Sequence, residues 1–170
     1  MKDKIVGIVG VGNVGLDIGT QTVAITSNYS VELLELCSEI NNMHRVEKRL
    51  QRKIDRQRRA NNPNNFNENG TVKRGVKLNW VKSNRYTKAQ NELSEIKRKQ
   101  KVIRKQSHEA LTNYIISLGN RIVVETMNFK GLQKCAKNIT VNEKTGKFNK
   151  KKRCGKSLAN KAPSLLLEII

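Results

Sequence analysis

Aromatic residues, acids, paired cysteines and long apolar runs are all scarce in this sequence, and each scarcity excludes a class of protein. One Trp, three Tyr and three Phe stand among 170 residues, so any core must be thin and largely aliphatic. No stretch reaches the roughly 18 apolar residues of a membrane-spanning helix. No basic, apolar and cleavage-site sequence precedes the first apolar run, and the expectation is a soluble, cytoplasmic chain. The three cysteines, Cys37, Cys135 and Cys154, are odd in number and never two residues apart. That excludes a zinc ribbon and a disulfide scaffold, and predicts reduced thiols. His44 and His108 lie in basic helical stretches with no partner ligand nearby, and are expected to be solvated helix residues.

What the sequence has in excess is positive charge. Lys and Arg number 34 against 14 acids, a net charge of +20. The distribution is uneven: residues 1–36 hold two bases and four acids, so the later part of the chain carries a net +22. A polyanion partner bound by that later part follows, because each neutralised phosphate releases counterions. Nucleic acid is the leading choice and an anionic membrane surface the rival.

In chain order, residues 4–15 read KIVGIVGVGNVG and contain Gly10-x-Gly12-x-x-Gly15, the spacing of a dinucleotide-binding loop. That loop must open a helix, whereas the following LDIGTQTVAIT is β-branched and alternating. The glycines are therefore read as the approach to a strand. Val14–Ile18, Val23–Ile25 and Val31–Leu36, separated by Gly19-Thr20 and Ser27-Asn28-Tyr29-Ser30, predict a three-stranded antiparallel meander.

From Ser38 the period becomes helical. Ile40, Met43, Glu47, Leu50, Ile54 and Gln57 step by three and four along one face. Arg45, Lys48, Arg49, Arg52, Lys53, Arg56, Arg58 and Arg59 populate the other, with only Glu47 and Asp55 to offset them. A second helix is predicted over 87–118, with Ala89, Leu93, Ile96, Gln100, Ile103, Ser107, Ala110 and Tyr114 as its stripe. Lys97, Arg98, Lys99, Lys101, Arg104 and Lys105 lie outside that stripe. The two helices are expected to pair as an antiparallel hairpin through a coiled-coil-like seam. One-sided bases without acidic partners one turn away favour a nucleic-acid-binding face over a merely solvated one.

Residues 60–86 are Asn-rich and polar, too polar to bury, and contain the only Trp. Trp80, set among Lys77, Lys82 and Arg85, either stacks on bases or plugs the end of the helical pair. A second basic run, 144–156, includes Lys150, Lys151, Lys152 and Arg153 and no acid, as a nucleic-acid-contacting loop would.

Two carboxylates stand out. Asp17 interrupts an apolar strand, where an acid is rarely buried unless paired or ligating a cation. After the helix stop Gly119-Asn120, the run RIVVETMN carries Glu125 at the end of a short β-branched segment. If that strand lies beside the one bearing Asp17, both carboxylates reach the same divalent ion. Oxygen ligands of this kind suit Mg²⁺ or Mn²⁺, which can activate water and stabilise the leaving oxygen of a phosphodiester.

At these two segments the chain resembles a known family. VGLDIGTQTVAIT looks like the first motif of RuvC-type nucleases, within the ribonuclease H-like fold, and RIVVETMNFKGLQK like the second. The intervening NRYTKAQNELSEIKRKQKVIRKQSHEALTNYI is similar to the segment joining those motifs in transposon-encoded TnpB proteins, relatives of type V CRISPR effectors. The resemblance covers residues 12–170. It implies an α/β, ribonuclease H-like (RuvC-type) sheet interrupted by a long basic antiparallel helical hairpin. The parts would be the first strands (1–37), the inserted hairpin (38–118) and the second part of the sheet domain (119–170). It further implies an RNA-guided DNA endonuclease or transposase-type protein of the prokaryotic cytoplasm, nucleoid-associated. Asp17 and Glu125 match its first two catalytic, metal-binding carboxylates, with DNA and guide RNA as partners.

Against that pattern, Glu143 and Glu168 are the only acids after Thr126, and neither sits in a motif matching the family's third carboxylate. The cysteine pairs of the family's zinc ribbon are missing too, so zinc is expected only in a segment beyond this sequence. The closing SLLLEII begins an apolar element without a partner layer, and a truncated chain that cleaves poorly or not at all is expected. Two other classes compete. Asp17-Ile18-Gly19-Thr20 also resembles the phosphate loop of sugar kinases and actin-like ATPases, whose second Asp-x-Gly loop is absent. The other is a non-enzymatic, nucleic-acid-binding helical protein.

Overall fold

The computed structural model describes residues 9–125, 127–134, 138, 140–146 and 154–170. Its contacts divide the chain into two compact units, Met1–Ser38 with Ile103–Ile170, and Glu39–Val102. The architecture is mixed α/β.

The first unit is built on a sheet. Strands β1 (Asn13–Ile18), β2 (Thr22–Ser27) and β3 (Val31–Glu35) form the expected antiparallel meander. Its turns close through Gly19 N–H to the Thr22 carbonyl at 2.9 Å and Ser27 N–H to the Ser30 carbonyl at 2.8 Å. Strand β4 (Arg121–Val124) lies parallel to β1 on its other side, giving the order β3-β2-β1-β4 among the described residues. A parallel neighbour requires a long crossover, and the chain between Ser38 and Gly119 supplies it.

Alternation decides which face is covered. Val14, Leu16 and Ile18 of β1 and Val23 and Ile25 of β2 are buried, and each stabilises the fold by about 1.5–3 kcal/mol. They meet Ile115 of helix α2 (Asn84–Leu118), Phe129 of α3 (Phe129–Leu132), Leu158 of α4 (Gly155–Lys161) and Leu166 of α5 (Pro163–Ile169). The opposite face leaves Val31, Leu33 and Val123 exposed at 77%, 71% and 59%.

The glycine-rich approach to β1 has a steric explanation. A Cβ on Gly10 would collide with the Ser117 carbonyl, and one on Gly119 would come within 2.6 Å of the Gly12 carbonyl. That carbonyl accepts from the N–H groups of Asn120 and Arg121, both at 3.1 Å. The glycines let the start of β1 lie against the end of α2, and no helix follows them at a phosphate-binding turn.

The second unit contains α1 (Ile40–Asn61) and the first part of α2. Hydrogen bonds from Gln100 Nε2 to Glu47 Oε2 at 3.2 Å and from Asn61 Nδ2 to Ser83 Oγ at 2.9 Å fix an antiparallel pairing. The stretch between the helices is ordered by its asparagines. Asn62 accepts from Val81 N–H at 2.7 Å and donates to the Val81 carbonyl at 3.0 Å, while Asn65 donates to the Asn79 carbonyl at 2.6 Å. Both asparagines are buried, so the expectation of a segment too polar to bury is corrected: amide side chains act as surrogate backbone there.

The stripe expected along α2 also changes. Gln100 is buried as the pattern requires, but beyond Val102 the buried positions are His108, Thr112 and Ile115, while Ala110 is exposed. In that part α2 packs on the sheet through Leu111, Tyr114, Ile115 and Leu118. A different partner selects a different face of the same helix.

Candidate metal centre and basic surfaces

β1 and β4 run parallel with Leu16 beside Val124, and the Glu125 N–H donates to the Leu16 carbonyl at 3.1 Å. Asp17 and Glu125 are thus the next pair along these strands, about 4.8 Å apart at the backbone by ordinary strand spacing. Directly paired residues share a face, so both carboxylates stand on the side opposite Leu16 and both are exposed. Ala24 lies across from Asp17 on β2, and Leu33 lies beyond it on β3. Small or aliphatic neighbours leave the two acids without an adjacent cation within the sheet.

This arrangement corrects one premise. Asp17 is not buried between Leu16 and Ile18, because alternation turns it outward, so burial alone demands no counter-ion. What singles out the pair is juxtaposition. Two like charges are brought near one another by the pairing of β1 with β4, and carboxylates so placed are the donor type that hard divalent cations take. Among the described residues no third His, Cys, Asp or Glu joins them in a cluster.

The bases fall on separate surfaces. On α1, a cleft of about 690 Å³ is lined by Arg45, Val46, Lys48, Arg49, Arg52, Asp55 and Arg56, five cations against one acid. Lys53 is half-buried beside this row. On α2, Lys97, Arg98 and Lys101 are exposed and Arg104 is partly so. The expectation that these bases lack acidic partners holds only in part. Arg98 makes two 2.8 Å hydrogen bonds to Glu95, Arg59 pairs with Asp55 at 3.0 Å, and Lys105 with Glu109 at 3.5 Å. The Glu95 bond holds the Arg98 guanidinium above its ordinary pKa, and the same bond holds Glu95 below the usual carboxylate range. Such exposed pairs add little stability and are screened by salt.

Trp80 is half-buried inside the second unit. The Arg58 guanidinium lies 3.9 Å from the ring centroid and Phe66 meets it edge-on at 5.7 Å, with Arg59 5.2 Å over the Phe66 ring. One face of the indole is thus taken by Arg58 within the protein. Arg85 is exposed at the start of α2. Lys150, Lys151, Lys152 and Arg153, like Cys135, lie outside the described residues.

Both histidines depart from the solvated reading. His44 is half-buried, with Nδ1 3.3 Å from Glu47. His108 is fully buried, and its Nε2 lies 2.8 Å from the Lys161 carbonyl and 3.5 Å from the Cys37 sulfur. No local signal pointed to this cluster, since its members are 71 and 53 residues from His108 in sequence. The chain matches no known protein-family model, and no curated protein matches its sequence.

Proposed function

We propose that the first unit is a ribonuclease H-like, RuvC-type nuclease sheet of the TnpB kind, in which Asp17 and Glu125 hold Mg²⁺ or Mn²⁺, and that the basic helices hold DNA and a guide RNA. The observation that carries this reading is the placement of two exposed carboxylates, Asp17 on β1 and Glu125 just past the end of its parallel neighbour β4, where the Glu125 N–H still bonds to the Leu16 carbonyl. The strand order β3-β2-β1-β4, with three antiparallel strands followed by a parallel one, is compatible with that fold. A bound divalent ion would supply electrostatic activation of water and of a phosphodiester oxygen. The protein's part is to present two fixed carboxylates on an open face and a cationic surface for the phosphate backbone.

Mn²⁺ binding, followed by electron paramagnetic resonance or calorimetry, tests the metal half. Asp17→Asn and Glu125→Gln are each expected to weaken Mn²⁺ binding at least tenfold with the fold intact. Unchanged affinity in both variants would remove the basis for the nuclease assignment.

A second reading rests on the α1 cleft, which requires no metal: a nucleic-acid-binding helical protein without catalysis. Salt-dependent binding that survives loss of both carboxylates, in a chain that binds no Mn²⁺, would select it.

A further inference from the structure

The least expected chemistry in the first unit is the buried group around His108. Three segments meet there: the residues just after β3, the second part of α2, and the junction of α4 with α5. The Lys161 carbonyl can only accept, so the imidazole donates from Nε2, which makes His108 the neutral Nε2–H tautomer. The Cys37 thiol approaches the same carbonyl at 3.7 Å. Lys161, itself 4% exposed, returns across the junction, donating from Nζ to Glu35 at 2.8 Å and to the Cys37 carbonyl at 3.2 Å. The remaining imidazole nitrogen, Nδ1, is buried and has no hydrogen-bond partner.

Two backbone positions mark the junction as held rather than relaxed. Cys37 and Ala162 have φ of 44° and 45°, and they are the described non-glycine residues in the left-handed region. Each such conformation costs about 1–2 kcal/mol for a residue with a Cβ. It persists only where surrounding contacts over-determine it. Ala162 ends α4 and precedes Pro163 at the first position of α5, so the bend between the two helices sits one residue from the carbonyl that His108 binds.

We propose that His108 is the pin of an acid-released latch that holds α4 and α5 on the sheet. Protonation would add a donor at Nδ1 where no acceptor is paired with it. It would also place a cation near the positive charge of Arg104. The groups around the ring are the Cys37 thiol just after β3, the Lys161 carbonyl, and Arg104 one turn earlier on α2; the Lys161 ammonium across the junction is paired with Glu35, the one acid in this cluster among the described residues. Burial keeps the His108 pKa below its ordinary 6.5, and Arg104 adds to this, while the bond to the Lys161 carbonyl and the nearby Ala162 backbone pull the other way without cancelling it. A depressed folded pKa means that the open form takes up the proton first. The latch is fully closed above pH 6.5 and weakens as pH falls from there through the lower pKa of the closed form. Release would withdraw Leu158 and Leu166 from the core.

Two measurements on the full chain test this. Histidine ring resonances followed by NMR, with His44→Gln for assignment, are expected to show His108 titrating below 6.5, with the α4 and α5 amides shifting at the same midpoint. Hydrogen exchange is expected to show lower protection of 155–169 at pH 5.5 than at pH 7.5, after correction for intrinsic rates. His108→Gln, whose amide can still donate to Lys161, is expected to abolish that pH dependence. An ordinary His108 titration, or protection in the wild-type chain that does not change with pH, would overturn the latch. If His108→Gln fails to fold, the wild-type titration and exchange decide alone.

Discussion

Leu16 and Asp17 are adjacent residues with opposite duties. Leu16 is 4% exposed within the core cluster, whereas Asp17 faces outward. Leu16→Ala is therefore expected to destabilise the protein by about 2–5 kcal/mol in urea denaturation. Asp17→Asn should stay within about 0.5 kcal/mol of the parent, because an exposed position away from caps and cores tolerates exchange. A loss of Mn²⁺ affinity in Asp17→Asn then reports on ligation. The strand bearing Asp17 and the one that ends just before Glu125 are legible in the sequence, whereas the outward turn of Asp17 emerges only from the pairing of the sheet. The burial of His108 is not legible either, because the residues around it come from distant segments. Glu32 and Tyr114 illustrate the same limit. The tyrosine hydroxyl donates to the Glu32 carboxylate, which lifts the Tyr114 pKa above its usual value, yet the two are 82 residues apart.

At the level of elements, hydrophobic period accounts for the meander, the fourth strand and the two long helices. It failed where one helix serves two partners. The three-and-four stepping of α2 selects the Gln100 face, and beyond Val102 packing against the sheet selects the His108 and Ile115 face instead. The segment between the helices departs from its composition for a different reason. Asparagine is ordinarily a surface residue, but Asn62 and Asn65 substitute for backbone groups and order the chain. Asn62→Ala removes the partners of both Val81 backbone groups, one donor bond to the Arg58 carbonyl, and the anchor beside Trp80. It is expected to destabilise the second unit by about 1–3 kcal/mol. Fluorescence of Trp80, the only tryptophan, reads that transition directly.

For the molecule as a whole, charge sets the physical behaviour. If the proposed nucleic-acid binding holds, the net charge of +20 and the Arg and Lys lining the α1 cleft make it electrostatic in character. The logarithm of nucleic-acid affinity should fall linearly with the logarithm of salt concentration. Removing Arg49, Arg52 and Arg56 together should flatten that slope by about 2–3 if each meets a phosphate. A slope identical to the parent's would place the contacts elsewhere on the protein. The excess of positive charge is plain in the composition, while the pairing of Arg98 with Glu95 and the capture of Arg58 by Trp80 depend on folding.

The pairing of β1 with β4 joins parts of the chain far apart: the Gly12 N–H donates to Asn120 Oδ1 across 108 positions of sequence. Closing a span of that length forfeits chain entropy before any contact repays it, whereas β1, β2 and β3 meet through tight turns. The order of events in folding follows. The meander and the helical pair can assemble locally, and β4 must arrive afterwards, so Asp17 would wait for Glu125 until the last stage of folding.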